Sequence, residues 1–198
     1  MKMKIGVMGS ASGPTIKNKS YLKKAYQIGK AIAENNCFFI NGACPGLPEA
    51  AAKGAKEAGG FVLGVSPAFS LEEHIKDYKS PYKNHNFILY SGLGLMERDV
   101  INIRTSDGVI ILGGGIGSLN EFTIAYDEGF PIGILTNTGG ISNHIPDILK
   151  ACDRPMRKNI ILEKNPKILV EKVIEAIRKH PKFKYEDERI KNNNYNGK

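Results

Sequence analysis

From Ser91 to Phe122 the chain reads SGLGLMERDVINIRTSDGVIILGGGIGSLNEF. A β-rich apolar run, Gly108 to Leu112, passes directly into three glycines, and these lead into a helix opening Ser118-Leu119-Asn120-Glu121. A buried strand that ends in a glycine turn and is followed by a helix is the repeating joint of α/β proteins with a parallel sheet. Ahead of this joint lies another helix, carrying Arg98.

The pattern extends outward in both directions. Short apolar or β-rich runs recur at Lys4 to Met8, Phe38 to Asn41, Phe61 to Ser66, Phe87 to Tyr90, Ile132 to Leu135 and Ile160 to Leu162. Most read as buried on both faces, as parallel strands covered by helices are. Between them lie segments with helical spacing, such as Leu22, Ala25, Ile28 and Ile32, and later Leu169, Val170, Val173, Ile174 and Ile177. With short loops, no repeat and no linker, the expected fold is one doubly wound, Rossmann-like α/β domain over residues 1–181, with a mostly parallel sheet of about seven strands. Lys182 to Lys198 is polar and ends NNNYNGK, which reads as a flexible tail.

Composition narrows the function class. The 198 residues carry 28 Lys plus Arg against 20 Asp plus Glu, a formal charge of +8, and 41% are apolar. That is enough for one hydrophobic core without disulfides or a structural metal. No stretch approaches the roughly 18 apolar residues of a membrane span, and Met1-Lys2-Met3-Lys4 leads straight into a strand-like run, so neither anchor nor signal peptide is expected. Cys37, Cys44 and Cys152 have no CxxC or Cys/His spacing, which points to a reducing, cytoplasmic setting and to no metal site. Residues 1–150 hold 15 basic and 13 acidic side chains, whereas residues 151–198 hold 13 and 7. The positive excess therefore lies outside the glycine-rich part, and neither nucleic acid nor membrane is an expected partner.

In a parallel sheet, ligands bind beyond the carboxyl ends of the strands, where free N–H groups face an anion. Three such turns are glycine-rich: Gly9-Ser10-Ala11-Ser12-Gly13, Gly42-Ala43-Cys44-Pro45-Gly46 and Gly113-Gly114-Gly115-Ile116-Gly117-Ser118. Gly9, Ser10, Gly42, Gly46, Gly114, Gly115, Gly117 and Ser118 are the candidate phosphate-binding residues. No GxxxxGK[ST] is present, which excludes a P-loop, and GSASG followed by a second strand ending Ile40-Asn41-Gly42 lacks the dinucleotide fingerprint and its acidic residue. His74, His85, His144 and His180 are scattered, with no metal-ligand spacing. The expected ligand is a small phosphate-bearing molecule of nucleotide type, with no cofactor or metal.

Arg98 and Glu121 put opposite charges at the same sheet edge. A carboxylate at about 5–6 Å from a phosphate would be repelled by a few kcal/mol at an effective dielectric of ~20, so Glu121 needs a purpose or a partner. Breaking a ribosyl–base bond builds positive charge on the ribose, and a carboxylate near the anomeric carbon stabilises it. Other readings stand beside these. Ser118 to Glu121 matches a helix capping box, as does Ser70 to Glu73. Arg98 has Glu97 and Asp99 as ion-pair neighbours. Cys44 has no basic residue in its turn and reads as a plain small side chain, Ser10 and Ser12 as phosphate contacts or turn formers, and Asn120 and Thr123 as solvated helix positions.

Lys4 to Glu175 resembles the LOG family of cytokinin-activating phosphoribohydrolases, long mislabelled as lysine decarboxylases, within the wider SLOG superfamily. The family's PGGxGTxxE is similar to Gly113-Gly114-Gly115-Ile116-Gly117-Ser118-Leu119-Asn120-Glu121, its MxERK to Met96-Glu97-Arg98-Asp99, and its GGxxGLM turn to the segment from Asn41 to Ala50. The resemblance implies hydrolysis of the N-glycosidic bond of a nucleoside 5′-monophosphate, with Glu121 as catalytic carboxylate, Arg98 as its partner, and a homodimer with residues of both subunits near the site. The chain departs from the pattern with Gly113 for Pro, Ser118 for Thr, Asp99 for Lys and Pro48 for Met. Its GGG form is similar to the molybdenum-cofactor-carrier branch, which implies the alternative of a carrier or sensor that binds a nucleotide or pterin-type cofactor without cleaving it. A structural module that has lost its ligand is the third reading.

Overall fold

Each apolar run forms a strand, and all pair in parallel. The computed structural model describes residues 2–180, so the segment read as a tail, 182–198, lies outside the described residues. The strands are β1 (Lys4–Gly9), β2 (Phe38–Asn41), β3 (Val62–Ser66), β4 (Phe87–Tyr90), β5 (Gly108–Leu112), β6 (Ile132–Leu135) and β7 (Ile160–Glu163). The helices are α1 (Lys19–Glu34), α2 (Leu47–Glu57), α3 (Leu71–Lys76), α4 (Gly94–Thr105), α5 (Ile116–Asp127), α6 (Ile145–Ala151) and α7 (Pro166–Lys179). The fold is an α/β, Rossmann-like one with a seven-stranded parallel sheet in the order β4-β3-β2-β1-β5-β6-β7.

Alternation along the central strands splits the core in two. Ile110 and Leu112 of β5 face a cluster built from α1, α2 and α7, in which Ile28, Ile32, Leu47, Leu169 and Val173 are fully buried. Val109 and Ile111 face the other side, against Ile103 of α4, Phe122 of α5 and Ile145 of α6. β5 and β6 are buried on both faces, as expected, but the edge strands are not: Phe87 of β4 and Leu162 of β7 are exposed. An edge strand has a neighbour on one side only, so flanking helices cover less of it. Among the described residues, no helix is long and apolar enough to cross a membrane.

Strand order positions the site. The chain winds outward from β1 to β4, then returns to the other side of β1 with β5. The connections leaving β1 and β5 therefore diverge and leave a crevice beyond the ends of these two strands. Gly9 pairs with Leu112, and the Ser10 N–H donates to the Leu112 carbonyl at 3.3 Å, so the first and third glycine turns leave the sheet side by side.

Candidate functional site

The crevice is a cavity of about 520 Å³. Its wall contains Gly9 and Ser10 from the first turn, Gly42 from the second, Gly114, Gly115, Gly117 and Ser118 from the third, and Arg98 and Glu121 from the helices. Gly46 lies outside this wall. It caps α2 and packs on the Ser10 carbonyl and Ile16, joining the first two turns to each other.

The third turn is braced from behind. Gly113 N–H donates to Thr138 Oγ1 at 2.9 Å and to Ser142 Oγ at 3.1 Å, while Gly114 N–H donates to Ser10 Oγ at 2.7 Å. Ser10 thus holds the loop as well as lining the cavity, and its own O–H remains a donor. The N–H groups of Ile116, Gly117 and Ser118 begin α5 and have no helical carbonyl behind them, and no side chain caps the helix. Among the described residues, apart from chain neighbours and the helix's own backbone, nothing stands within 4 Å of where a Cβ on Gly115 or Gly117 would be. Free donors and open space at a helix amino terminus suit a phosphate group.

α5 starts at Ile116, two residues earlier than its sequence suggested. Ser118 is therefore inside the first turn and Glu121 beyond it, so the capping-box reading of Ser118 to Glu121 does not hold. At Ser70 the same pattern does cap a helix: Ser70 Oγ accepts from the Glu73 N–H at 3.2 Å. The difference is that Gly115, three residues ahead of Ser118, is the N-cap of α5.

Arg98 is buried, not a surface residue. Its guanidinium packs against Gly42, where a Cβ would collide with Nη1. Nη2 donates to Cys44 Sγ at 3.6 Å, and Nε is 3.7 Å from Asp99 Oδ1 but lacks a hydrogen-bond partner among the described residues. Asp99 also accepts from Asn120 Nδ2 at 3.0 Å, so Asn120 is a support for that carboxylate and not a solvated position. Burial raises the Asp99 pKa, opposed by Asn120 and Arg98. The Cys44 thiol is likewise pushed up by burial despite the adjacent guanidinium, which keeps it a thiol and a poor nucleophile.

Glu121 is only 7% exposed, and its hydrogen-bond partner is Asn102, whose Nδ2 donates to Oε1 at 3.2 Å. Arg98 acts on Glu121 through its field and not by a hydrogen bond. Burial first, and Asp99 second, push the Glu121 pKa up to about 8, against the pull of Arg98 and the Asn102 amide. The shift favours the protonated acid, which would meet an anion with a donor in place of a second negative charge. Asn102 is the contributor that the motifs missed. It stands one helical turn after Arg98, on the same face of α4, as a polar residue between Ile101 and Ile103.

Gly113 has φ of +60°, a conformation closed to proline, whose ring holds φ near −65°. The loop therefore differs in its backbone from a loop that opens PGG, and this departure is built into the fold of the site.

The sequence profile of the SLOG cluster4 family matches residues 2–170. The chain belongs to the SLOG cluster4 family. An uncharacterised Archaeoglobus fulgidus protein is 35% identical over 127 residues, spanning 64% of this chain and 76% of the relative. Among solved structures, the molybdenum cofactor carrier protein of Chlamydomonas reinhardtii superposes with a TM-score of 0.73 at 26% identity, covering 91% of this chain and all of that one. The molybdenum cofactor binding protein of Rippkaea orientalis gives 0.68 at 27%, covering 89% and 98%. This SLOG protein thus shares its fold with two proteins named for carrying or binding molybdenum cofactor.

Proposed function

We propose that the protein binds a small phosphate monoester of nucleotide or pterin-cofactor type and holds it intact. The observation that carries this reading is the glycine turn itself. Gly113 at φ +60° commits the loop to the GGG form, and the free N–H groups of Ile116, Gly117 and Ser118 open onto the cavity. The phosphate sits on these amides, with the Ser10 and Ser118 hydroxyls as further donors. Leu95, Met96 and Ile116, the last 77% exposed, give the same cavity an apolar side suited to a flat heterocycle. Among the described residues, no group of three His, Cys, Asp or Glu could hold a metal ion. With one cation matched by Asp99, the cavity is unlike the basic groove that nucleic acid requires.

Hydrolysis of a nucleoside 5′-monophosphate is the second reading, and Glu121 favours it. A buried carboxyl in the cavity, with its pKa near the working pH, is placed to move a proton on a bound ribosyl–base bond. Against it stands the same protonation, since a neutral acid stabilises a cationic ribose poorly. The exposed apolar side chains at the cavity mouth are the surface on which the expected homodimer would close.

Thermal shift separates ligand binding from a module without a ligand. AMP and a pterin monophosphate, each compared with its dephosphorylated form, are expected to raise the midpoint only when the phosphate is present. Equal shifts with and without phosphate, or none, would remove the phosphate from the account.

A further inference from the structure

Behind the second glycine turn lies a buried polar brace that the ligand reading leaves unused. Asn41 ends β2 and is fully buried. Its Nδ2 donates to the Pro48 carbonyl at 3.1 Å, and its Oδ1 accepts the Ala43 N–H at 2.9 Å. The same Oδ1 lies 2.9 Å from His85 Nε2. An amide oxygen only accepts, so His85 must be the donor, through Nε2–H. Burial holds the His85 pKa down at about 4, so the ring is neutral at working pH and its single N–H is the one given to Asn41.

The braced turn needs holding. Ala43 has φ of +51°, in the left-handed region that side-chain-bearing residues seldom occupy. Both its neighbours touch Arg98: Gly42, against the guanidinium, and Cys44, whose sulfur accepts from Nη2. The chain from His85 to Asn41 to Ala43 therefore ends on the seat of the cavity's buried cation. His85 comes from the connection between α3 and β4, 44 residues away from Asn41 in sequence.

We infer that His85 is a positioning residue for Arg98, acting through Asn41 on the turn Gly42–Gly46. Its consequence for binding rests on the reading that Arg98 serves the ligand, whereas the brace itself does not. The two are tested apart by cysteine labelling and ligand titration.

In full-length protein carrying Cys152→Ser, which removes the exposed thiol, Cys44 reports on the turn and the buried Cys37 on the fold as a whole. Ellman's reagent is the probe. His85→Phe keeps the bulk and loses the donor, and it is expected to speed Cys44 labelling about tenfold, the equivalent of one lost hydrogen bond, while Cys37 stays protected. His85→Gln, whose amide donates from nearly the same position, is expected to return the wild-type rate. AMP affinity should fall in His85→Phe and recover in His85→Gln. Unchanged Cys44 labelling in His85→Phe, Cys37 opening in step with Cys44, or failure of His85→Gln to restore the rate would each overturn the inference. If the labelling behaves as stated while wild type itself fails to bind AMP, the brace is upheld and the nucleotide form of the ligand reading fails.

Discussion

Glu121 is a buried acid beside a second carboxyl group, and this sets a pH dependence with a definite sign. Its folded pKa, about 8, lies above its ordinary value, so the native state holds the proton more tightly than the unfolded chain. Stability from this group is complete below the unfolded pKa and is lost as pH rises through about 8. Glu121→Gln keeps the Asn102 hydrogen bond without the charge. It is expected to match wild type near pH 4 and to exceed it at pH 9 by on the order of a few kcal/mol, each pKa unit being worth about 1.4. Calorimetry at the two pH values checks this, and parallel curves for the two proteins would refute it. At this scale the sequence exposed Arg98 and Glu121, because their spacing from the glycine run is visible in one dimension. Their partners were less legible. The contact of Cys44 with Arg98 spans 54 residues, and burial, which decides the Glu121 charge, has no local signature.

The elements carry their own tests. α1 and α2 approach so closely that a Cβ on Gly29 would collide with the Ala51 carbonyl. An exposed Gly in a helix usually gains about 1 kcal/mol on becoming Ala. Gly29→Ala should instead destabilise, by about 1–3 kcal/mol, because the backbone across the interface cannot yield. Denaturant unfolding gives the sign directly. Gly113→Pro restores the residue of the resembled motif, yet it is incompatible with φ +60° and removes the donor to Thr138 and Ser142. It should lower stability by about 3 kcal/mol or more and abolish binding of AMP, and retention of both would contradict the loop's described form. Strand positions are readable as apolar runs, and the apolar faces of α1 and α7 from helical spacing. The start of α5 was not, since Ser118 to Glu121 carries a capping pattern that Gly115 overrides.

At the scale of the whole molecule, the reversal of strand order between β1 and β5 is what creates the cavity. A sequence of alternating strands and helices is compatible with several orders, so the doubly wound class could be read but the partnership of the first and third turns could not. The structure supplies it through the Gly9 to Leu112 register and the Ser10 bond to Gly114. The second turn joins them through Arg98, which α4 carries in from between β4 and β5. Three sequence-distant loops thus build one cavity, and a buried acid with a raised pKa lies within it.

Whether a bound phosphate monoester leaves intact is read from the fate of bound nucleotide. Excess protein is mixed with AMP, quenched after successive intervals and resolved by chromatography. Recovery of AMP without free adenine over hours is the predicted result. Release of adenine in a single turnover, lost in Glu121→Gln, would contradict it and make Glu121 the acid of an N-glycosidic hydrolase.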